Sequence, residues 1–311
     1  MNDLSWWACH PSHRVDPAER SSRNVFNFLD TIKADPVYFR QLRCDDQLVT
    51  EYNCPLDRPK QDIWSHENYF VYVLEGRKGW RSAEGEVLLE QGQAAFVRKG
   101  ANIVDQYLEQ PFCVVMFFLT DAFICATLRA SGIERRMHEE KPPSVVRLHA
   151  GAVLDGFFHG MLPYFRESLV AKPELLELKF RELLLAVVHD AQNAALLSYF
   201  CSLLHDPAQE RVRRVMEDNY SFNLQLEDYA RMSGRSLSAF KRDFGEVFGA
   251  APGKWLRERR LQRARTMLLG GGLQVSEVAF QCGFENLSHF SRTFKEAYGV
   301  TPASVLGTTV A

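Results

Sequence analysis

The residues of this 311-residue chain whose types and spacing could do chemistry fall into two matched sets near its C-terminus. One helical stretch, 236–248, carries Phe240, Phe244 and Phe248. A second, 287–298, carries Phe290, Phe294 and Tyr298. Side chains four apart stack on one side of a helix. The opposite side of the first stretch then presents Arg235, Ser238, Ala239 and Arg242, with Lys241 at its edge. The second presents Ser288, His289, Arg292 and Lys295, with Ser291 at its edge. Arginine can bond both acceptors of a guanine, and hydroxyls reach bases or phosphates, so such a face suits the major groove of a duplex. An ordinary solvated helix face is the alternative. Two copies with the same chemistry weigh against it.

The copies extend beyond these helices. Phe240-x3-Phe244-x3-Phe248-Gly249-x2-Pro252 repeats as Phe290-x3-Phe294-x3-Tyr298-Gly299-x2-Pro302 at an offset of 50. Upstream, Ala230-x3-Gly234 repeats as Ala279-x3-Gly283 at an offset of 49, so the second turn holds one more residue. Internal repeats define architecture, and each unit here has the layout of a helix-turn-helix. Leu226, Tyr229 and Ala230 face inward in the first, and Val275, Val278 and Ala279 in the second. Leu237 and Leu287 are expected to extend the buried aromatic stripes. Between the units, 254–269 is a strong helix former with Trp255, Leu256, Leu261, Ala264 and Leu268 as packing residues. It also carries five arginines, Arg257, Arg259, Arg260, Arg263 and Arg265. The helix reads as a rigid spacer, with phosphate contact for some of its arginines.

The rest of the chain must position these units. Helical spacing at Val25, Phe26, Leu29 and Ile32 predicts a helix over 21–33. From about 39 to 120, short β segments separated by Gly85, Gly92 and Gly100 predict a small antiparallel barrel or sandwich: 69–74, 86–90, 93–97 and 112–118. Helices follow from about 121 to 204, at 121–130, 153–169 and 174–190. The pair in 153–190 is apolar around much of its circumference and reads either as cover for the sheets or as a homodimer interface. A linker-like stretch, His205-Asp-Pro-Ala-Gln-Glu, precedes the repeat. Residues 208–311 hold 15 Lys and Arg against 11 Asp and Glu, a balance of +4. Residues 1–207 hold 22 against 28, a balance of −6. The expected fold is α+β and two-domain: a cupin-like barrel with flanking helices over 1–205, and an all-α double helix-turn-helix domain over 208–307. A polyanion-binding module beside one that binds something else fits this asymmetry.

At 46% hydrophobic and 12% aromatic, the chain has ample core material, which excludes intrinsic disorder. No apolar run reaches the ~18 residues of a membrane helix, and the N-terminus lacks the pattern of a secretory signal. The seven cysteines are scattered, with no pair at CxxC spacing, so neither a disulfide framework nor a zinc site is suggested. The expected setting is the cytoplasm, with no membrane contact.

Residues 276–302, SEVAFQCGFENLSHFSRTFKEAYGVTP, resemble the signature of the AraC/XylS transcriptional regulators. The first copy and the helix between the copies also match that pattern, over about 100 residues from near Arg211 to Leu306. The resemblance implies seven helices whose two recognition helices enter successive major grooves of double-stranded DNA. It implies Ser238, Lys241 and Arg242, with Ser288, His289, Ser291 and Arg292, as readers, and RNA polymerase as a partner. The N-terminal region is similar to the cupin-type regulatory domain common in that family, and 71–76 and 97–100 to type III secretion activators of the ExsA kind. That second resemblance implies self-association and a regulatory protein as partner.

Two signals stay open: a regulatory protein, or a small apolar effector in an aromatic-lined barrel with His66, Tyr69, Tyr72, Phe96 and Phe117 as its walls. The competing function is a cupin-type metal enzyme with an accessory helical domain. It needs a ligand set, and the sequence offers isolated His66, His149 and His159, with Asn68 where metal cupins carry a second histidine. No catalytic residue, metal ligand or cofactor is assigned.

Overall fold

The computed structural model describes residues 25–53, 60–82, 85–107, 111–133, 142–166 and 171–306. Its N-terminal part consists of two stacked sheets and a helical layer. One sheet orders β1 (Val25–Asn27), β4 (Lys60–Ser65), β9 (Gly100–Gln106), β6 (Arg77–Ser82) and β7 (Gly85–Glu90). The other orders β11 (Val145–Leu148), β8 (Ala94–Val97), β5 (Asn68–Glu75), β10 (Cys113–Leu119), β3 (Gln47–Asn53) and β2 (Arg40–Cys44). Apart from β1, which runs parallel to β4, the pairings are antiparallel. No ladder joins the two sheets among the described residues, so the cupin-like barrel is open, a sandwich of two sheets.

The second sheet is covered on both faces, which explains its continuous apolar runs. Along β5, Tyr69, Val71 and Val73 point between the sheets, and Phe70 and Tyr72 point into the helical layer. Along β10, Val114, Met116 and Phe118 take the first direction, and Val115, Phe117 and Leu119 the second. Strand side chains alternate with a period of two, so a strand buried on both sides cannot alternate in polarity.

The helical layer comprises α2 (Asp121–Ala130), α3 (Ala152–Gly160), α4 (Leu162–Arg166), α5 (Pro173–His189), a single 3-10 turn (Ala191–Asn193) and α6 (Ala194–Leu203). The helix expected over 153–169 is broken at Met161 into α3 and α4, and 167–169 lie outside the described residues. A strand, β11, sits at 145–148 where helices alone were expected. The helix expected from 21 has its described part at α1 (Phe28–Ala34), preceded by β1 and capped by Asn27, whose Oδ1 accepts from the Asp30 N–H. Among the described residues, no single helix is long and apolar enough to cross a membrane. One bent pair, α5 with 191–203, passes by length and composition, and it is bent by 87°. Five cysteines, Cys44, Cys113, Cys125, Cys201 and Cys282, are buried and form no disulfide among the described residues; Cys9 and Cys54 lie outside them.

The C-terminal part is all helix: α7 (Ala208–Asn219), α8 (Leu226–Met232), α9 (Leu237–Phe248), α10 (Pro252–Gly270), α11 (Val275–Gln281), α12 (Leu287–Tyr298) and α13 (Pro302–Val305). The sequence repeat is a structural repeat. Both α8 and α11 start with a capping box, Gln225 with Asp228 and Gln274 with Glu277. Both α9 and α12 start at a polar N-cap, Ser236 and Asn286, and stop at a left-handed glycine, Gly249 and Gly299. The extra residue of the second copy lies between α11 and α12.

Phe117 sits at the junction of sheet and helices, with its ring 5.4 Å from those of Phe157 and Phe180. Phe117→Ala leaves a cavity that these rings cannot close, and is expected to cost about 3–5 kcal/mol in urea unfolding. A cost under ~1 kcal/mol would show that the layer is loosely packed.

Candidate nucleic-acid interface

The hydrophilic sides of α9 and α12 face outward. Phe240 and Phe244 are fully buried on one side of α9, and Phe290 and Phe294 on one side of α12. Opposite them, Ser238, Lys241 and Arg242 are exposed on α9, and Ser288, His289, Arg292 and Lys295 on α12, with Ser291 half-buried at the edge. Local hydrogen bonds fix the start of each helix. Ser236 Oγ accepts from the Ala239 N–H at 3.3 Å and lies 3.2 Å from Ser238 Oγ. Asn286 Oδ1 accepts from the N–H groups of Ser288 and His289 at 2.8 and 3.0 Å.

The two faces differ in how their arginines are held. Asp243, buried in α9, pairs with Arg235 at 2.9 Å and with Arg242 at 3.1 Å. Arg235, in the turn before α9, is therefore half-buried and committed to that helix, while the exposed Arg242 is tethered beside it. The repeat puts Thr293 at the position of Asp243. Its hydroxyl donates to the His289 carbonyl instead. Arg292 is exposed, with Glu296 4.0 Å away. Leu287 departs from the expected stripe: at the first turn of α12 it is 40% exposed.

The arginines of α10 do not act alike. Arg257 is exposed. Arg259 and Arg263 lie over the Tyr220 ring, at 5.6 and 5.9 Å, and Arg265 lies 5.1 Å from the centre of the Tyr298 ring. Arg260 points inward and bonds backbone carbonyls.

The helix-turn-helix units join the N-terminal sheets through the first unit. Val25, Trp64 and Ala101 share one core with Val212, Met216, Tyr229 and Phe240. Asn219, at the end of α7, accepts from the Ala101 N–H at 2.7 Å and donates to the Val215 carbonyl. Arg98 pairs with Asp218 at 2.6 Å. Arg231, in the last turn of α8, donates to both carboxylate oxygens of Asp30 at 2.6 and 2.9 Å and stacks 5.5 Å from the Trp64 ring. Burial works against ionisation of Asp30, and the bonds and charge of Arg231 outweigh it, holding the carboxyl below its usual range.

The five proposed effector walls do not share a cavity. Tyr69 points between the sheets and accepts from Trp80 Nε1 at 3.1 Å. Tyr72, Phe96 and Phe117 point the other way: Tyr72 stacks on Phe158 at 4.5 Å and Phe96 meets Phe200 at 5.0 Å. The period of two along β5 separates Tyr69 from Tyr72, and a barrel-lining picture had merged them. His66 lies elsewhere again, 3.2 Å from Asn27 Nδ2 and 3.4 Å from Arg231. Asn68 serves as a hub: it donates to Asp121 at 2.8 Å and accepts from the Lys99 N–H and the Tyr199 hydroxyl, each at 3.0 Å. The other two histidines that a metal enzyme would need are apart, His149 on Asp190 and His159 beside Asp155. Among the described residues, no group of three or more His, Cys, Asp or Glu could hold a metal ion.

These features define a double helix-turn-helix protein whose first unit is docked on a sheet-rich domain. Residues 229–307 match the helix-turn-helix domain model, and residues 68–199 match the ExsA N-terminal regulatory domain. The chain is 28% identical over 253 residues to the virulence regulon transcriptional activator VirF of Yersinia enterocolitica, covering 80% of this chain and 93% of that one. It is 29% identical over 257 residues to the transcriptional regulator ExsA of Pseudomonas aeruginosa, covering 81% and 90%. Among solved structures, an apo form of ToxT from Vibrio cholerae aligns at 13% identity and a TM-score of 0.41, covering 83% and 96%. In both of its parts the chain is similar to AraC-family transcriptional activators, with an N-terminal domain that matches the ExsA regulatory model.

A crevice of about 180 Å³ at the junction is lined by His66, Glu67, Lys99, Asp121, Arg211 and Arg231. Burial pushes the Glu67 carboxyl up to about 7, against the pull of Lys99. The folded chain then holds a proton there that the unfolded chain releases near 4.5, so this contribution is full below 4.5 and is lost as pH rises through 7. His66 runs the other way: burial, then the charge of Arg231, push it down to about 4. Its contribution is present at neutral pH and is lost as pH falls from 6.5 to about 4. Glu67→Gln removes the alkaline loss. Between pH 5 and pH 8, wild type should lose roughly 1–3 kcal/mol more stability than the variant in urea unfolding. Parallel losses would contradict this origin.

Proposed function

We propose that the chain is a cytoplasmic, sequence-specific activator of transcription that binds duplex DNA through residues 208–307 and is controlled through residues 1–205. Ser238, Lys241 and Arg242 read one groove. Ser288, His289, Ser291 and Arg292 read the next, with Lys295 on a phosphate. Arg235, engaged by Asp243, supports its helix and makes at most a backbone contact. The observation that carries this reading is the pair of outward hydrophilic faces on helices with matched caps and buried aromatic ridges. The activator names of the relatives support the sign of regulation, with RNA polymerase as the onward partner. No catalytic role is assigned.

A homodimer forms through α3 and α5. Val153, Leu175 and Leu178 stand exposed on these helices, although the helices' other sides are deep in the core. The controlling signal is a protein. The aromatic side chains expected to wall an effector site are packed on one another, which favours a partner at the surface over a small apolar guest.

Selection of bound duplexes by the purified chain, followed by footprinting, tests the reading. Arg292→Ala should relax discrimination at one base pair and cost about 1–3 kcal/mol there. Equal affinity of wild type and variant for every altered site would exclude that contact. Binding should fall steeply with salt as phosphate counterions are released. Leu178→Asp should shift the chain to monomer in sedimentation and leave half-site affinity in place. An unchanged dimer would remove α5 from the interface.

A further inference from the structure

The two helix-turn-helix units do not share a core. Leu256 of α10 belongs to the first cluster, with Phe240, Phe244 and Tyr229. Leu261, Ala264 and Leu268 of the same helix belong to the second, with Phe290 and Phe294. The seam falls within about one and a half turns of α10, and Arg260 occupies it. Its Nε donates to the Tyr220 carbonyl at 2.6 Å, Nη2 to the Phe222 carbonyl at 2.7 Å and Nη1 to the Gly283 carbonyl at 3.1 Å. Tyr220 and Phe222 lead into the first unit, and Gly283 is the turn of the second. One guanidinium on the spacer helix therefore clasps both. A planar fork suits this task, since its N–H groups point in fixed directions.

Two further contacts close the seam. Asn223 hydrogen-bonds Glu285 across it. Gly283 has φ +80°, and a Cβ there would lie 2.7 Å from the Ser221 carbonyl oxygen and 3.1 Å from Arg260 Cζ. The backbones approach too closely for any side chain.

We propose that Arg260 is a positioning residue for DNA recognition: its clasp on the carbonyls of Tyr220, Phe222 and Gly283 fixes the spacing and rotation of α12 relative to α9. The inference rests on the DNA-binding reading above. It adds that the separation of the two subsites is read by a group that touches no DNA. Inserting one base pair shifts a subsite by about 3.4 Å and about 35°. A clasped pair of helices rejects that change, and an unclasped pair follows it.

The test uses the full-length chain and a bipartite duplex selected by wild type, together with versions carrying one or two base pairs inserted or removed between the subsites. Wild type should lose about tenfold or more in affinity per inserted base pair. Arg260→Ala should flatten that profile to within about threefold while keeping the base preferences within each subsite. Arg260→Lys, with a point charge for a fork, should fall between. Gly283→Ala should flatten the profile by a separate route, by forcing the seam open. Arg257→Ala, an exposed neighbour on α10, should leave it sharp. Circular dichroism checks folding, and should Arg260→Ala unfold, Asn223→Ala supplies the same comparison. A profile as sharp as wild type in the folded variants overturns the clasp even if their melting temperatures fall. A wild-type chain that selects no duplex fails the DNA-binding reading itself, and the inference falls with it.

Discussion

The core of the first helix-turn-helix unit is completed by the N-terminal sheet. Val25, Trp64 and Ala101 stand where a free-standing unit would need its own apolar cover, and Tyr229 and Phe240 pack in the same cluster. The polar part of the junction is as specific as the apolar part. Asn219 is buried, and its amide is satisfied on one side by the Ala101 N–H and on the other by its own helix. It approaches β9 so closely that a Cβ on Gly100 would meet its Oδ1 at 2.9 Å. A buried amide left unpaired would cost the desolvation of a polar group, so the contact selects one register of α7 on the sheet. The orientation of α9 relative to the N-terminal domain follows from that register. Among the described residues the second unit shows no such dependence: its cluster is built from α10, α11, α12 and neighbouring residues.

Sequence periodicity made the C-terminal part legible almost residue by residue, because both copies report the same constraint. An aromatic every fourth residue, a small residue where helices cross and a glycine where the helix ends each occur twice, and they mark the observed caps and turns. The capping boxes at Gln225 and Gln274, which the structure shows, share the offset of 49. Arg260 left a subtler trace. The positions 256, 260, 264 and 268 form one stripe of α10, and Leu256, Ala264 and Leu268 are all buried. An arginine in that series had to find backbone partners inside, and composition alone had grouped it with four surface arginines.

The N-terminal part was legible in kind and less so in detail. β5 and β10 announced themselves by aromatic and β-branched runs, but a strand covered on both faces gives no alternation to say which side chain goes where. That is why Tyr69 and Tyr72 could be placed around one imagined cavity when they point to opposite sides of a sheet. β11 is four residues long and its partner β8 lies about fifty residues upstream, so its pairing has no local signature. The Asp30–Arg231 pair spans 201 positions. Contacts of that separation depend on the assembled fold, and nothing near either residue foretells them.

Asn68 shows what an amide can do at a position where a histidine could not. A histidine there would offer one lone pair and one N–H, whereas the amide offers an acceptor oxygen with two lone pairs and two donors. The structure uses both sides: the oxygen takes the Lys99 N–H and the Tyr199 hydroxyl, and the nitrogen donates to Asp121. Asp121, half-buried, is held below its usual range because the charge and hydrogen bond of Lys99 and the bond from Asn68 outweigh its desolvation. The group thereby links β5, the turn before β9, α2 and α6. The Asn68 amide thus forms a hydrogen-bonded strut that ties the second sheet to its helical cover.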